Sequence, residues 1–533
     1  MKKLLCILLT MALLAGCTAP AAPTTTPTVP QVEGEVLIRL SDEGIEFPAD
    51  SGVHTANDII YYEAGHDETY GEGESHEAHT GEEAAAHTVV HITQPGVYRV
   101  TGKLSAGQLA VDLGEDARED PAAVVTLILD NAEITCRVAP AVIFYNVYEC
   151  GDAENPRADV DTSAAGANVL LAEGSRNSIT GSHVAKIYKP ETVVDGDVEN
   201  AKKLHKYDGA LYSKMSMNVG GSGVLHIEAD NEGLDSELHL TINGGEIYIS
   251  SGNDGINTNE DGVSVTTING GRLWIAVEGD EGDGIDSNGW LVINGGQVEA
   301  YACATSGDSG IDSDMGIQIN GGTVIATGNM LDRIEDGGQT HLVFTFAQHQ
   351  KAPYFTLKNM YASTVLEAQT PSAFTNLLFS SPDITEGTYT LWSGDTQYEG
   401  QTGMGGGFGF IGGEPIERPD FPGKGEGGDV EIPPQPTQPI VTHGTVQAPP
   451  EGDRPADMPV PQFPQGGEGQ MSVPPELPEG MENMPMPELP EGVEPSQGGF
   501  GRQPVQIITS VLSTEFAVVQ GANYFTNVRA VTE

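Results

Sequence analysis

The sequence predicts an all-β protein built on a parallel β-helix, and two repeated motifs with a strand-like hydrophobic pattern carry that prediction. The tetrapeptide Ile-Asn-Gly-Gly recurs with its asparagines 26, 25 and 26 residues apart, at Asn243, Asn269, Asn294 and Asn320. An acidic motif precedes each copy, at 232–235 (EGLD), 254–257 (DGIN), 283–286 (DGID) and 309–312 (SGID). A degenerate copy of both motifs lies at 208–211 and 218–221. A fixed period of this length is typical of repeat architectures.

The residues between the motifs alternate apolar and polar side chains in short runs, as at Leu238, Leu240 and Ile242. Such alternation predicts β-strands, and about 25 residues accommodate three short strands and three turns, which is one coil of a parallel β-helix. The Asn-Gly-Gly turns supply the positive φ of a sharp corner, and asparagines stacked from coil to coil can hydrogen-bond to one another. A β-propeller is the architectural alternative, although a four-stranded blade needs about 40 residues.

Stacking of the coils predicts two columns of acidic and amide side chains. Asp235, Asn257, Asp286 and Asp312 form one column, and Glu232, Asp254 and Asp283 form the other. Carboxylates about 5 Å apart repel one another unless they are protonated, solvated or bridged by a cation. Calcium accepts six to eight oxygen ligands in flexible geometry, so we expect it between adjacent turns. The expected ligands are Asp235, Asp254, Asn257, Asp283, Asp286, Asp308 and Asp312. The alternative is that these are exposed turn residues chosen for their tolerance of unusual φ angles.

The N-terminus predicts export. Lys2 and Lys3 precede an apolar run from Leu4 to Leu14 that is too short to span a membrane but typical of a secretory signal. The following Leu-Ala-Gly-Cys resembles a bacterial lipobox, so we expect Cys17 to be lipidated and to tether the protein to the extracellular face of the cell membrane. The alternative is a coincidental cysteine in an ordinary signal.

The net charge limits the classes of binding partner, and the cysteine content limits the possible disulfides. The formal net charge of −53 excludes nucleic acid as an expected partner, and it disfavours acidic polymers unless a bound cation reverses the local field. Outside the first 17 residues, Cys136, Cys150 and Cys303 remain. This odd number, without metal-ligand spacing, argues against a disulfide framework, although Cys136 and Cys150 could pair.

Composition divides the chain into five segments. These are the signal at 1–17, a Pro/Thr linker at 18–34, the β-helical body at 35–402, a Pro/Gly-rich segment at 403–503 and a C-terminal β segment at 504–533. The Pro/Gly-rich composition cannot bury a core and predicts disorder. We expect the last segment to return and pair with the body, because unpaired apolar strands promote aggregation. A His-bearing insertion at 61–87 contains His-Glu-Ala-His, which suggests zinc, but it lacks the i, i+4 histidine pair of a metalloprotease helix, and a solvated loop is the better explanation.

An ordered set of motifs across residues 88–400 resembles a known family, the bacterial carbohydrate-binding β-helix domain of exported lipoproteins. The set comprises "ITQPGVYRVTGKLSAGQLAVD", "VTLILDNAEIT", "ANVLLAEGSRNSIT", "YDGALYSKMSMNVGGSGVLHIEADNEGLDS" and the repeats. The resemblance implies a right-handed parallel β-helix similar to pectate-lyase-like proteins. It also implies that the domain binds calcium and acidic pectin-type or cellulosic chains, without cleaving them. Asp254, Asp283, Asp286 and Asp312 match the family's acidic turns, whereas Asn257 and Ser309 depart from the pattern.

On sequence alone we favour a non-catalytic, calcium-dependent polysaccharide-binding module at the cell surface, with an enzyme and an adhesin or scaffold as the alternatives. In a binding module, aromatic faces stack on sugar rings, and the expected residues are Trp290, Trp274 and Tyr301. A pectin lyase needs a Lys or Arg base near the metal, but between Lys214 and Lys351 the only lysine or arginine residues are Arg272 and Arg333. A hydrolase instead needs a pair of carboxyl groups, such as Asp283 and Asp286. The third alternative is a surface adhesin or scaffold.

Overall fold

The computed structural model describes residues 34–57, 85–152, 156–181, 207, 209–351, 354–403 and 511–531. All of them belong to one unit, which comprises residues 1–416 and 504–533. Four segments lie wholly or almost wholly outside the described residues: the signal with Cys17, the linker apart from Gly34, the His-Glu-Ala-His segment and the Pro/Gly-rich segment apart from Gly403. In the described part of the chain, no helix combines the length and hydrophobicity needed to cross a bilayer.

The described residues are all-β, with thirty strands and one short 3-10 turn at Glu115–Glu119. The strands are β1 (Val36–Leu40), β2 (Val53–Ala56), β3 (Thr88–Ile92), β4 (Gly96–Leu104), β5 (Gly107–Asp112), β6 (Val125–Thr135), β7 (Val142–Asn146), β8 (Ala167–Leu171), β9 (Arg176–Gly181), β10 (Gly209–Ser213), β11 (Met217–Gly221), β12 (Val224–Ala229), β13 (Glu232–Ser236), β14 (His239–Ile242), β15 (Glu246–Ser251), β16 (Ile256–Thr258), β17 (Val265–Ile268), β18 (Arg272–Val277), β19 (Trp290–Ile293), β20 (Gln297–Tyr301), β21 (Gly316–Ile319), β22 (Thr323–Gly328), β23 (His341–Gln350), β24 (Tyr354–Asn359), β25 (Thr364–Gln369), β26 (Phe374–Ser380), β27 (Gly387–Ser393), β28 (Thr396–Thr402), β29 (Phe516–Val518) and β30 (Ala522–Ala530). They form a 23-stranded sheet and a seven-stranded sheet.

Strands of successive repeats pair in parallel and build three stacks. One stack is β14–β17–β19–β21, in which Ile242, Ile268, Ile293 and Ile319 are in register. The second is β12–β15–β18–β20–β22, and the third is β7–β10–β13–β16. The in-register aliphatic side chains are almost completely buried, so the alternation seen in the sequence supplies one continuous core.

The Asn-Gly-Gly turns are held together by a ladder of side-chain amides. Asn269 donates to Asn243, Asn294 to Asn269 and Asn320 to Asn294, each at 2.9 Å. The second glycine of each turn has a positive φ, as in Gly271 at 89°, which a residue with a Cβ rarely adopts. The ladder therefore fixes the register of the repeats at this corner.

The repeat-to-repeat parallel pairing ends at β22, apart from one further bridge between Ile317 and Ile334. From β23 onward, almost all pairings are antiparallel: β26 pairs with β22 and β23, and β24 pairs with β25 and β27. The expectation of parallel strands as far as residue 402 is thus too long, because residues 341–402 form an antiparallel unit. That unit has a separate core whose aromatic members are Tyr301, Phe344, Phe346, Phe355, Phe374, Phe379, Tyr389, Tyr398, Phe516 and Phe525.

The C-terminal strands belong to this antiparallel unit. β30 pairs in parallel with β23 and antiparallel with β28, and β29 pairs with β27. The rings of Phe344 and Phe525 stack at 5.2 Å, and Phe516 packs edge-on against both. β29 and β30 therefore bury their apolar residues against strands that precede the Pro/Gly-rich segment.

Candidate metal centre and aromatic residues

The acidic motifs lie along the third parallel stack. Asp235 is in register with Asn257, and parallel bridges join Ile256 to Ile285 and Ile285 to Ile311. The residue after each of these isoleucines consequently occupies the same place in successive turns, and these residues are Asn257, Asp286 and Asp312. The buried isoleucines anchor each turn, and the carboxyl groups project beside them.

Three carboxylates from these turns converge. Asp283, Asp286 and Asp312 are half-buried, and each offers an oxygen within 4.8 Å of the oxygens of the other two. Oδ1 of Asp312 is buried without a hydrogen-bond partner. An oxygen in that position loses water without a compensating bond, which is unfavourable for a protein carboxylate. This cluster is the one group of three His, Cys, Asp or Glu side chains among the described residues that could hold a metal ion.

The environment of the cluster disfavours ionisation. Burial, reinforced by Asp254 and Asp312, raises the pKa of Asp283 from 3.8 to about 9. Burial, followed by the charge of Asp254, raises the pKa of Asp286 to about 7. For Asp312, burial followed by the charges of Asp332 and Asp286 raises the pKa to about 7. The three carboxyl groups hence favour protonation, or a cation that takes the place of the protons.

One further carboxylate, Asp332, lies beside the acidic column. Asp332 Oδ2 accepts a hydrogen bond from the backbone N–H of Ser313 at 3.1 Å, and burial raises the pKa of Asp332. The motif search missed Asp332 because its turn, Leu331–Ile334, has no glycine before the isoleucine. Ile334 pairs with Ile317 of β21, outside the stack that carries the acidic motifs, so the repeat spacing gave no signal for Asp332.

Two predicted ligands bond to backbone instead of completing the cluster. Asp254 Oδ1 accepts from the N–H of Asp283 at 2.6 Å. Asp308 Oδ2 accepts from the N–H of Gly282 at 2.6 Å and from the hydroxyl of Ser306. Asp308 therefore organises the loop beside the cluster, and the structure does not bring it into the three-carboxylate group.

At its other end, the column accepts hydrogen bonds from amide side chains. Asn259 donates to Asp235 Oδ1 at 2.7 Å, and Asn257 donates to Glu232 Oε1 at 2.9 Å. All four side chains are buried, and Oδ1 of Asn257 has no hydrogen-bond partner. Asp235 and Asn257, both predicted ligands, thus lie in a hydrogen-bonded acid–amide network, outside the three-carboxylate cluster.

The three predicted sugar-stacking residues differ in exposure. Trp290 is half-buried and lies in register between Val265 and Gly316. Trp274 is half-buried and packs against the antiparallel core, with Tyr301 edge-on at 6.1 Å. Tyr301 is completely buried, and its hydroxyl donates to Glu299 at 3.0 Å. The expectation that Tyr301 contacts a sugar is wrong for this structure, because no ring face is left for a ligand.

The three described cysteines are free thiols. Cys136 and Cys303 are buried, and Cys150 is half-buried. Cys136 and Cys150 do not form the disulfide that the sequence left open. Burial raises the pKa of Cys136 to about 12 and that of Cys150 to about 11. Neither thiol has the lowered pKa of a reactive cysteine.

Comparison with known proteins places the cluster in a matched region. Residues 86–342 match a family model described as "Carbohydrate-binding domain-containing protein". A protein of the same description from Acetivibrio thermocellus (strain ATCC 27405) is 28% identical over 164 residues, which are 30% of this chain and 45% of that relative. The match therefore spans less than half of the relative.

A solved structure described as a polysaccharide lyase-like protein from C. thermocellum, as a gadolinium derivative, is 19% identical with a TM-score of 0.32. The alignment covers 54% of this chain and 90% of that one. The family match and the A. thermocellus relative together support a carbohydrate-binding family for the central part of the chain.

Proposed function

We propose that this protein binds polysaccharide without cleaving it, and that Asp283, Asp286 and Asp312 hold a calcium ion that supports the binding. The observation that carries the proposal is the convergence of three half-buried carboxylates within 4.8 Å, inside the region that matches carbohydrate-binding proteins. The unpartnered Oδ1 of Asp312 fits a ligand atom. Carboxylate oxygens are the donors that calcium prefers.

A calcium ion would supply positive charge in an otherwise acidic surface. Three carboxylates leave coordination positions that backbone carbonyls, water or a ligand oxygen can fill. A uronate carboxylate is such a ligand, so an acidic face becomes an acceptor for an acidic pectin-type chain. The protein's own contribution is to hold three carboxylates in fixed positions on stacked turns.

We also propose that the three parallel stacks close into a right-handed parallel β-helix. The support is that, within each stack, corresponding residues of successive repeats are in register, and the repeat length stays at about 25 residues. On the sequence of residues 1–17, we further propose that the protein is exported and tethered through Cys17 to the extracellular face of the membrane. The membrane would then be contacted only through the lipid anchor.

The proposal predicts calcium-dependent retention on polygalacturonate. The triple variant Asp283→Asn, Asp286→Asn and Asp312→Asn should lose the calcium-dependent part of the binding, because amides are poorer calcium ligands than carboxylates and carry no charge. Retention of the full chain on immobilised polygalacturonate and on cellulose, with calcium and with chelator, measures this.

The matched control is the triple variant Asp383→Asn, Glu386→Gln and Asp395→Asn. It removes the same number of negative charges from exposed positions of the antiparallel unit and should bind as the natural chain does. Equal binding by both triple variants would contradict the assignment of the cluster. No retention on either polymer under any condition would remove the proposed function and favour an adhesin or scaffold.

Trp290 gives an independent prediction. Its half-buried ring follows the Asp283–Asp286 turn, and no described aromatic ring stacks on it. Trp290→Ala should weaken calcium-dependent binding about fivefold while leaving the melting temperature within a few degrees, since one aromatic–sugar contact is worth about 1 kcal/mol. Titration with polygalacturonate by calorimetry checks it, and unchanged affinity would exclude Trp290 from the site.

One observation keeps a polysaccharide lyase as the second candidate. The side chain of Arg333 is 68% exposed, and the residue follows Asp332 at the end of the acidic column. Its guanidinium already pairs with Glu335 and donates to the carbonyl of Met315, so a base role would require it to leave both. Release of unsaturated products from polygalacturonate, detected by their ultraviolet absorbance and abolished in Arg333→Ala, would favour the lyase.

A further inference from the structure

The antiparallel unit has an outer sheet face that differs sharply from its core face. On β24, Phe355 and Leu357 are buried in the aromatic core, while Tyr354, Thr356 and Lys358 alternate with them on the outside. The adjacent strand β27 shows the same division, with Tyr389 and Leu391 inside and Thr388, Thr390 and Trp392 outside. The outer side chains are all half-buried or exposed.

Trp392 is held in a fixed orientation on this outer face. It lies directly opposite Thr356, its indole N–H donates to Thr390 Oγ1 at 2.8 Å, and Lys358 Nζ lies 4.6 Å from the ring centroid. Tyr354, two residues before Thr356 on the same strand, is 47% exposed. A ring that is fixed before binding loses little conformational entropy when a ligand stacks on it.

The charge of this face is unusual for the chain. The whole protein has a net charge of −53, yet β24 and β27 carry Lys358 and no acidic residue. Glu367, on β25, is the acidic neighbour opposite Thr356. Gln369 lies opposite Tyr354 and Gln397 lies opposite Trp392. Glu399, two residues after Gln397 on the same side of β28, pairs with Arg529 at 2.9 Å. Lys358 therefore offers a cation to an acidic polymer on this face.

We propose that this surface, the Trp392 face (Tyr354, Thr356, Lys358, Thr390, Trp392 and Gln397), is a second binding site for uronate-containing polysaccharide and needs no metal. Lys358 pairs with a sugar carboxylate, Trp392 and Tyr354 contact the apolar faces of sugar rings, and the hydroxyl and amide groups bond to sugar hydroxyls. The inference rests on the proposed function for the class of ligand only. The face lies outside residues 86–342 and uses none of the carboxylates of the metal cluster.

The test is binding of the full chain to soluble polygalacturonate in excess chelator at low ionic strength. The natural chain should bind, and added salt should weaken this binding, because an exposed Lys–carboxylate pair is screened. Lys358→Met and Trp392→Ala should each weaken it about tenfold, while Lys351→Met, at an exposed lysine just before the same strand, should not. If Trp392→Ala misfolds, Trp392→Phe is the substitute variant. It keeps an aromatic ring in place and should retain most of the affinity.

The two sites fail separately. The Asp283/Asp286/Asp312 triple variant should keep the chelator-resistant binding while losing the calcium-dependent part. Absence of binding by the natural chain in chelator, or equal affinities for Lys358→Met and Lys351→Met, would overturn the Trp392 face and leave the calcium site intact. Chelator-resistant binding that persists without any calcium effect would instead count against the metal site alone.

Discussion

In the absence of calcium, the stability that Asp283, Asp286 and Asp312 contribute should be lost as the pH is raised from about 4 to about 9. Burial raises the pKa of Asp283 to about 9 and those of Asp286 and Asp312 to about 7, all from an unfolded value near 3.8. Between these limits the three carboxyl groups bind more protons in the folded state than in the unfolded state, so each step up in pH reduces their contribution to stability. The buried His239, whose pKa is lowered from 6.5 to about 4, acts in the opposite direction below about pH 6.5. The stability contribution of the cluster is therefore complete below about pH 4 and is lost as the pH rises through 7 to 9.

Calcium should reverse that loss, and its effect should grow with pH. Metal binding requires deprotonated carboxylates, so protons compete with calcium at pH 5 and compete less at pH 8. At a calcium concentration about 100 times the dissociation constant, binding stabilises the folded state by about 2.7 kcal/mol, or roughly 5 °C in melting temperature. Calorimetric melting across this pH range, with calcium and with chelator, measures both effects.

The triple variant at Asp283, Asp286 and Asp312 should abolish the calcium response and the part of the pH dependence that these three carboxyl groups cause. The control variant at Asp383, Glu386 and Asp395 should keep both, because those side chains are exposed. A difference in melting temperature between the natural chain and the cluster variant that does not change with pH in chelator would show that the carboxyl groups are not held in a charge-excluding environment. A calcium response retained in the cluster variant would place the ion elsewhere.

The repeated part of the fold was predictable because its signal is local and periodic. Ile242, Ile268, Ile293 and Ile319 point into the core at the same step of each repeat, and the neighbouring asparagines form the ladder. The antiparallel unit was not predictable in the same way. The alternation of β24 and β27 is compatible with either strand direction, and β30 pairs with β23 from about 180 residues further along the chain.

The cluster was predictable only in part, since sequence spacing fixes register but does not fix side-chain direction. The repeat of the acidic motif predicted that Asp283, Asp286 and Asp312 lie close together, and in the structure their carboxylate oxygens do. Asp308 lies next to a motif but turns toward backbone N–H of Gly282. Tyr301 occupies an outward strand position that the antiparallel core covers, and nothing local to β20 signals that cover.

Gly284→Ala should destabilise the protein strongly, by about 3 kcal/mol, although Gly284 does not have a positive φ. Gly284 is absent from the glycines with positive φ, so tolerance of unusual φ does not explain it. A Cβ at this position would lie 2.4 Å from the carbonyl oxygen of Gly310 in the next turn and 3.0 Å from Cβ of Ala300. Relief would require separating two hydrogen-bonded turns, since Ile285 N–H donates to that same carbonyl.

The matched control is Gly220→Ala, where the added Cβ would meet only Leu170 and Asn243 at ordinary contact distances of 3.6 and 3.7 Å. That change should be neutral or slightly stabilising, because alanine restricts the unfolded chain. Urea unfolding of both variants measures the difference.

Gly284 lies between Asp283 and Ile285, so Gly284→Ala should also weaken the calcium-induced rise in melting temperature. Equal stability of the two variants would mean that the acidic turn can move apart freely. In that case close stacking of the turns could not be what holds the three carboxylates together.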